Sequence, residues 1–125
     1  MEIEKLISTV KNLVGVEIKN GVYLLKTEAT FLNGSKIVLQ LEQKDKKWYL
    51  HDNKATLKYM NELYELSSSD VKMCISNVLK IYGFSITGGL MQVEITNEEK
   101  FGSVFFDFLM CISQLTNMFA FFDKP

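Results

Sequence analysis

Residues 16–51 read VEIKNGVYLLKTEATFLNGSKIVLQLEQKDKKWYLH, and the reading of this stretch decides the fold. Asn20-Gly21 is a strong hairpin signal, because a two-residue turn of this kind needs positive φ at both positions. The run before it, Val16 to Lys19, is a short strand. The run after it, Val22 to Phe31, alternates, with Tyr23, Leu25, Thr27, Ala29 and Phe31 on one side. Asn33-Gly34 predicts a second tight turn. Ile37, Leu39 and Leu41 then share one face of a strand from Lys36 to Glu42. Polar Gln43 to Lys46 turns the chain once more, into Lys47 to His51. Four strands joined by short turns predict an antiparallel meander.

The period changes on either side of the meander. Ile3, Leu6, Ile7, Val10, Leu13 and Val14 fall on one helical face, with Gly15 placed to cap the end. Downstream, Leu57, Met60, Leu63 and Tyr64 predict a short helix over about 54–65. Ser67 to Asp70 reads as a loop ending in a helix cap. Val71, Cys74, Ile75, Val78, Leu79 and Tyr82 predict another amphipathic helix, stopped at Gly83. Thr87-Gly88-Gly89 turns between Phe84-Ser85-Ile86 and a strand from Leu90 to Ile95. Thr96 with Glu99 three residues on resembles a capping box, opening a long helix to about Phe121. The expectation is α+β: a four-strand meander plus a C-terminal hairpin, packed by N-terminal, middle and long C-terminal helices.

Composition bounds the rest. The 125 residues are 47% hydrophobic, enough for one domain over 1–125 with a real core. The net charge is −1, and all fourteen basic residues are lysine. A chain without arginine lacks the usual bidentate reader of phosphates and guanine edges, so nucleic acid is not the expected partner. Two cysteines and one histidine are too few for a structural zinc site, so neither metal nor cofactor is expected. No apolar run approaches the roughly twenty residues that span a bilayer. The acidic start, Met1-Glu2-Ile3-Glu4-Lys5, does not read as a secretory signal, and Cys74 and Cys111 sit in apolar helical patterns. A reducing, cytoplasmic setting is expected.

Seven of the nine phenylalanines lie between Phe101 and Phe122. Phe101, Phe105, Phe108, Leu109, Ile112, Leu115, Phe119 and Phe122 make one broad apolar face. Phe106, Met110 and Phe121 fall outside it. Two arrangements satisfy this pattern: a central helix clamped on more than one side, or an aromatic patch kept for a partner protein or a second copy. Phe106, Met110 and Phe121 are therefore candidate partner-binding residues. Trp48 and Tyr49 are two more, flanked by lysines 44, 46, 47, 54 and 58.

Catalytic signals are sparse. His51-Asp52 is the only histidine–acid pair, but neighbours on a strand point to opposite faces. Glu42-Gln43-Lys44, with Glu28 upstream, matches part of a magnesium-dependent nuclease site, in which carboxylates hold the ion and lysine answers developing charge. Gly88-Gly89 sits in a hairpin and is no phosphate loop. Cys111 has no base near it in sequence.

From about Phe31 onward the chain resembles a family of small bacterial and phage-borne domains of unknown function. Three segments carry the resemblance. Residues 31–39, Phe31 to Leu39, resemble a turn Asp-Gly-Asp followed by an apolar strand. Residues 48–57, Trp48 to Leu57, resemble a segment written Leu-x-Asp-x-Gly-x-Thr. Phe105 to Leu115 resembles a closing helix ending Ile-Ser-x-Leu. Asn33 replaces the first aspartate, Lys54 stands where glycine is usual, and Asp52 is the acidic motif residue retained. The resemblance implies a setting in phages or mobile elements. The reading that follows is a non-enzymatic protein-binding module, an inhibitor of a bacterial immune complex of the anti-CRISPR kind. A nuclease-like domain using Glu28, Glu42 and Lys44 with Mg²⁺, and a structural homodimer through Phe106, are the alternatives.

Overall fold

The computed structural model describes residues 2–118. The elements run α1 (Ile3–Val10), β1 (Gly15–Lys19), β2 (Val22–Thr30), β3 (Lys36–Lys44), β4 (Lys47–His51), α2 (Ala55–Leu63), α3 (Ser69–Tyr82), β5 (Ser85–Thr87), β6 (Leu90–Ile95) and α4 (Phe101–Thr116). The six strands form one antiparallel sheet in the order β1-β2-β3-β4-β6-β5. The meander and the C-terminal hairpin are therefore both present, and β6 docks the hairpin onto β4. Among the described residues, no helix is long and apolar enough to cross a membrane.

Turn chemistry sets the register of the meander. Asn20 and Gly21 have φ of 53° and 78°, the conformation a two-residue hairpin requires, so Lys19 pairs with Val22. Asp45 and Lys46 do the same between β3 and β4, with φ of 51° and 65°. The strand thus continues to Lys44, which pairs with Lys47, and the turn is shorter than the polar run suggests.

These registers put Tyr23, Leu41, Leu50 and Val93 in one row across four strands. Residues opposite one another share a face, so this row and its neighbours build an apolar side. Leu25, Leu39, Leu41, Leu50 and Met91 on that side are fully buried, in one cluster with Leu6 and Val10 of α1, Met60 of α2, Val71 of α3 and the inner face of α4. None of the opposite face, which carries Leu24, Gln40, Glu42, Tyr49, His51, Gln92 and Glu94, enters that cluster.

Three local readings need correction. Helix α1 ends at Val10, and Gly15 is the first residue of β1, not a cap. Only four residues separate the two elements, so the helix must stop early for β1 to reach the sheet edge. Asn97, not Thr96, opens the last helical segment: its side chain accepts the Glu99 N–H at 2.9 Å, and a single 3-10 turn precedes α4. Ala29 is exposed, because the β2–β3 register shifts between Lys26 and Thr30.

That irregularity is held by one side chain. The Thr27 hydroxyl donates to the Ile37 carbonyl at 2.6 Å and accepts the Ala29 N–H at 3.2 Å. It replaces ladder bonds that the bulge removes, inside the protein. Thr27→Val keeps the shape and leaves both backbone groups unpaired. It is expected to destabilise the fold by about 1–3 kcal/mol in denaturant unfolding.

Candidate functional site

Helix α4 lies against α1, α2 and α3. Phe101, Phe105, Phe108, Cys111, Ile112 and Leu115 are buried. Gly102 faces Thr9 of α1, where a Cβ would stand 3.8 Å from the Thr9 Cβ. Phe106 and Met110, one turn apart, are each 54% exposed. They form the apolar centre of an outer stripe otherwise made of Ser103, Asp107, Ser113, Gln114 and Asn117. The Phe106 ring meets Phe105 edge-on at 6.3 Å, so its orientation is braced from the core. The helix is thus clamped on its inner faces and keeps an apolar pair outside. Phe121, the third candidate on this helix, lies outside the described residues, as do Phe119 and Phe122.

Trp48 and Tyr49 do not act together. Their side chains leave β4 on opposite faces. Trp48 packs toward the core, edge-on to Tyr23 at 6.1 Å. Tyr49 sits on the other face between Glu42 and Glu94. The lysines do not gather either. Lys44 and Lys47 flank one end of β4, beside Glu42 at 3.7 Å and Glu94 at 3.9 Å respectively. Lys54 and Lys58 lie beyond its other end.

His51 and Asp52 point to opposite sides, as their places on a strand predict. The His51 ring joins the uncovered face, in a row with Gln40 and Gln92, and is only 4% exposed. The Asn53 N–H donates to Nδ1 at 3.1 Å, which assigns the proton of the neutral ring to Nε2. Nε2 donates it to Glu42 Oε2 at 3.0 Å. Both ring nitrogens are engaged, and neither is available to take a proton from a substrate. The His51–Glu42 pair was missed from the sequence. The signal for it was the Asp45-Lys46 turn: pairing Lys44 with Lys47 places Glu42 diagonal to His51.

Asp52 points inward. Its Oδ1 accepts the Lys54 N–H at 3.0 Å and the Met91 N–H at 3.1 Å, and its Oδ2 accepts the Thr56 N–H at 3.0 Å. At 2% exposure it is a buried carboxylate held by three backbone donors. It closes the first turn of α2 and ties that turn to β6. Lys54 has φ of 69°. Glycine reaches this left-handed region without steric cost, so a lysine here strains the backbone. A cleft of about 160 Å³ beside Asp52 is lined by Lys36, Gln40, Asn53 and Thr56. The Thr56 hydroxyl there has no hydrogen-bond partner among the described residues.

The nuclease constellation does not assemble. Glu28 pairs with Lys36 at the start of β3, while Glu42 lies six positions further along, roughly 20 Å in extended chain. Among the described residues, no three His, Cys, Asp or Glu side chains are placed to share a metal. Burial pushes the Cys111 thiol up to about 12, so it is not a nucleophile at neutral pH. Set against protein-family models, curated proteins and solved structures, the chain matches none of them.

Three outcomes follow from this geometry. Asp52→Ala leaves three backbone donors unpaired and is expected to cost about 3–4 kcal/mol in urea unfolding. Lys54→Gly removes the left-handed strain and gains about 0.5–1 kcal/mol, whereas Lys54→Ala, which keeps a Cβ, gains none. Thiol titration is expected to label half-buried Cys74 in the native protein and Cys111 only after unfolding.

Proposed function

We propose that this chain is a non-enzymatic protein-binding module that works in the cytoplasm without metal or cofactor. It docks a protein partner on the outer stripe of α4. The observation that carries this reading is the exposure of Phe106 and Met110, at 54% each, on a helix whose other phenylalanines within the described residues are buried. Aromatic residues and methionine are enriched in interface cores, and one or two such anchors carry most of the affinity of a typical interface. The serines, Gln114 and Asn117 around them supply a polar rim. The saturated His51 ring, the dispersed carboxylates and the buried Cys111 support a role without catalysis.

The partner class comes from the resemblance to phage-borne domains: a bacterial immune complex, blocked stoichiometrically in the anti-CRISPR manner. A net charge of −1 does not suit broad mimicry of nucleic acid, so the blockade rests on shape and apolar anchoring.

Affinity capture with the wild-type chain and with Phe106→Glu and Met110→Glu baits tests the reading. Both substitutions lie at exposed positions, so circular dichroism and unfolding midpoints are expected to stay unchanged. A component of a bacterial immune complex, held stoichiometrically by the wild type and at least about tenfold more weakly by both variants, is the expected result. Equal capture by all three baits overturns it.

A further inference from the structure

The outer edge of the sheet holds a second surface, separate from α4. Strand β1 is one of the two edges, and all five of its residues are exposed. In a two-residue hairpin the pair next to the turn exchanges both backbone bonds, and the pattern then alternates. Lys19, Glu17 and Gly15 therefore direct their backbone groups at β2. Val16 and Ile18 direct theirs outward, where no described residue meets them. Natural sheets blunt such edges with proline, bulges, short strands or runs of lysine. Here β1 has neither proline nor bulge, and its one lysine is matched by a glutamate two residues away.

We propose that β1 pairs antiparallel with β1 of a second copy of this chain, about a two-fold axis at Ile18. Charge complementarity selects both the occupant and the register. With the axis at Ile18, Glu17 of each copy stands opposite Lys19 of the other. These are non-hydrogen-bonded pairs, where side chains come closest. The outward N–H and C=O of the two Ile18 residues then bond reciprocally, and those of Val16 reach toward Asn20. An axis at Glu17 would set the two glutamates against each other. An axis at Val16 would run Ile18 and Lys19 past the start of the opposing strand. The hydrogen bond from the Lys26 ammonium 2.6 Å away, and its charge, hold the Glu17 carboxyl below the usual carboxylate range. Glu17 is therefore ionised at neutral pH and presents its second oxygen to the partner lysine.

Packing favours the same arrangement. Ile18 is 62% and Val16 40% exposed on the covered side of the sheet. With Tyr23 beside them on β2, they form one wall of a groove of about 470 Å³ between the sheet and α1, with Ile3 and Ile7 opposite. A second β1 places another Ile18 against this wall and extends it, removing apolar surface that a lone copy leaves in water.

Sedimentation equilibrium across a concentration series tests the proposal. The wild type is expected to shift from monomer to dimer mass, and Lys19→Glu to dimerise at least about tenfold more weakly, with partial recovery in high salt. Mixing Lys19→Glu with Glu17→Lys sets opposite charges across the axis again and is expected to give a mixed dimer. Glu17→Lys also meets Lys26 within its own chain, so a measurement on the wild type stands beside it: the Val16 and Ile18 amides are expected to exchange more slowly as concentration rises. A dimer lost on Phe106→Glu but kept in Lys19→Glu overturns the proposal and places self-association on α4. A chain monomeric to about 1 mM, with fast exchange at both amides, also overturns it and leaves partner capture by α4 untouched.

Discussion

The Asp52 carboxylate is the constraint on which the architecture turns. A meander of four strands has one apolar face and nothing to cover it. The chain must leave β4, send back two helices, and return as a hairpin on the same sheet. Asp52 stands where these demands meet. Its oxygens take the first N–H groups of the α2 turn and the Met91 N–H of β6, while its own N–H donates to the Met91 carbonyl at 3.3 Å. One buried residue thus fixes the departure of α2 and the seat of the second hairpin. A charge so placed is tolerated because three donors surround it. The left-handed backbone at Asn53 and Lys54 is the strain that this tight exit stores.

This changes the meaning of the motif around it. Read as chemistry, a histidine next to an aspartate suggests a base and its orienting acid. In the fold, Asp52 serves the backbone and His51 serves the uncovered face of the sheet, where Glu42 accepts its hydrogen bond and Gln40 and Gln92 flank it. The segment is architectural: Asp52 caps the turn and Lys54, two places on, bends left-handed. A lysine at that left-handed position strains the turn.

What remains for function is surface. The inner faces of α4 are consumed by the sheet and three helices, which leaves Phe106 and Met110 as a small apolar island in a polar stripe. At the far edge of the sheet, β1 offers backbone groups and two aliphatic side chains in a charge pattern complementary to itself. The two surfaces lie on different elements, so one copy of the chain has room for a partner on α4 and for self-pairing on β1.

Much of this was legible in the residues. Asn20-Gly21 and Gly83 act within a turn of chain, and their backbone preferences hold whatever surrounds them, so hairpin and helix end were read correctly. Alternation of Ile37, Leu39 and Leu41 named the buried face, because side-chain direction in a strand has a fixed period. Local rules failed where two segments compete for one backbone group: Gly15 joined a strand instead of capping a helix, and Asn97 took the cap that Thr96 resembled. What only the tertiary structure decided is which side chains meet. Glu42 reaches His51 through strand register, and Phe106 stays outside because α1, α2 and α3 fill the inner side of α4. Such contacts join residues far apart in sequence, and their geometry exists only once the sheet is paired and the helices are packed on it.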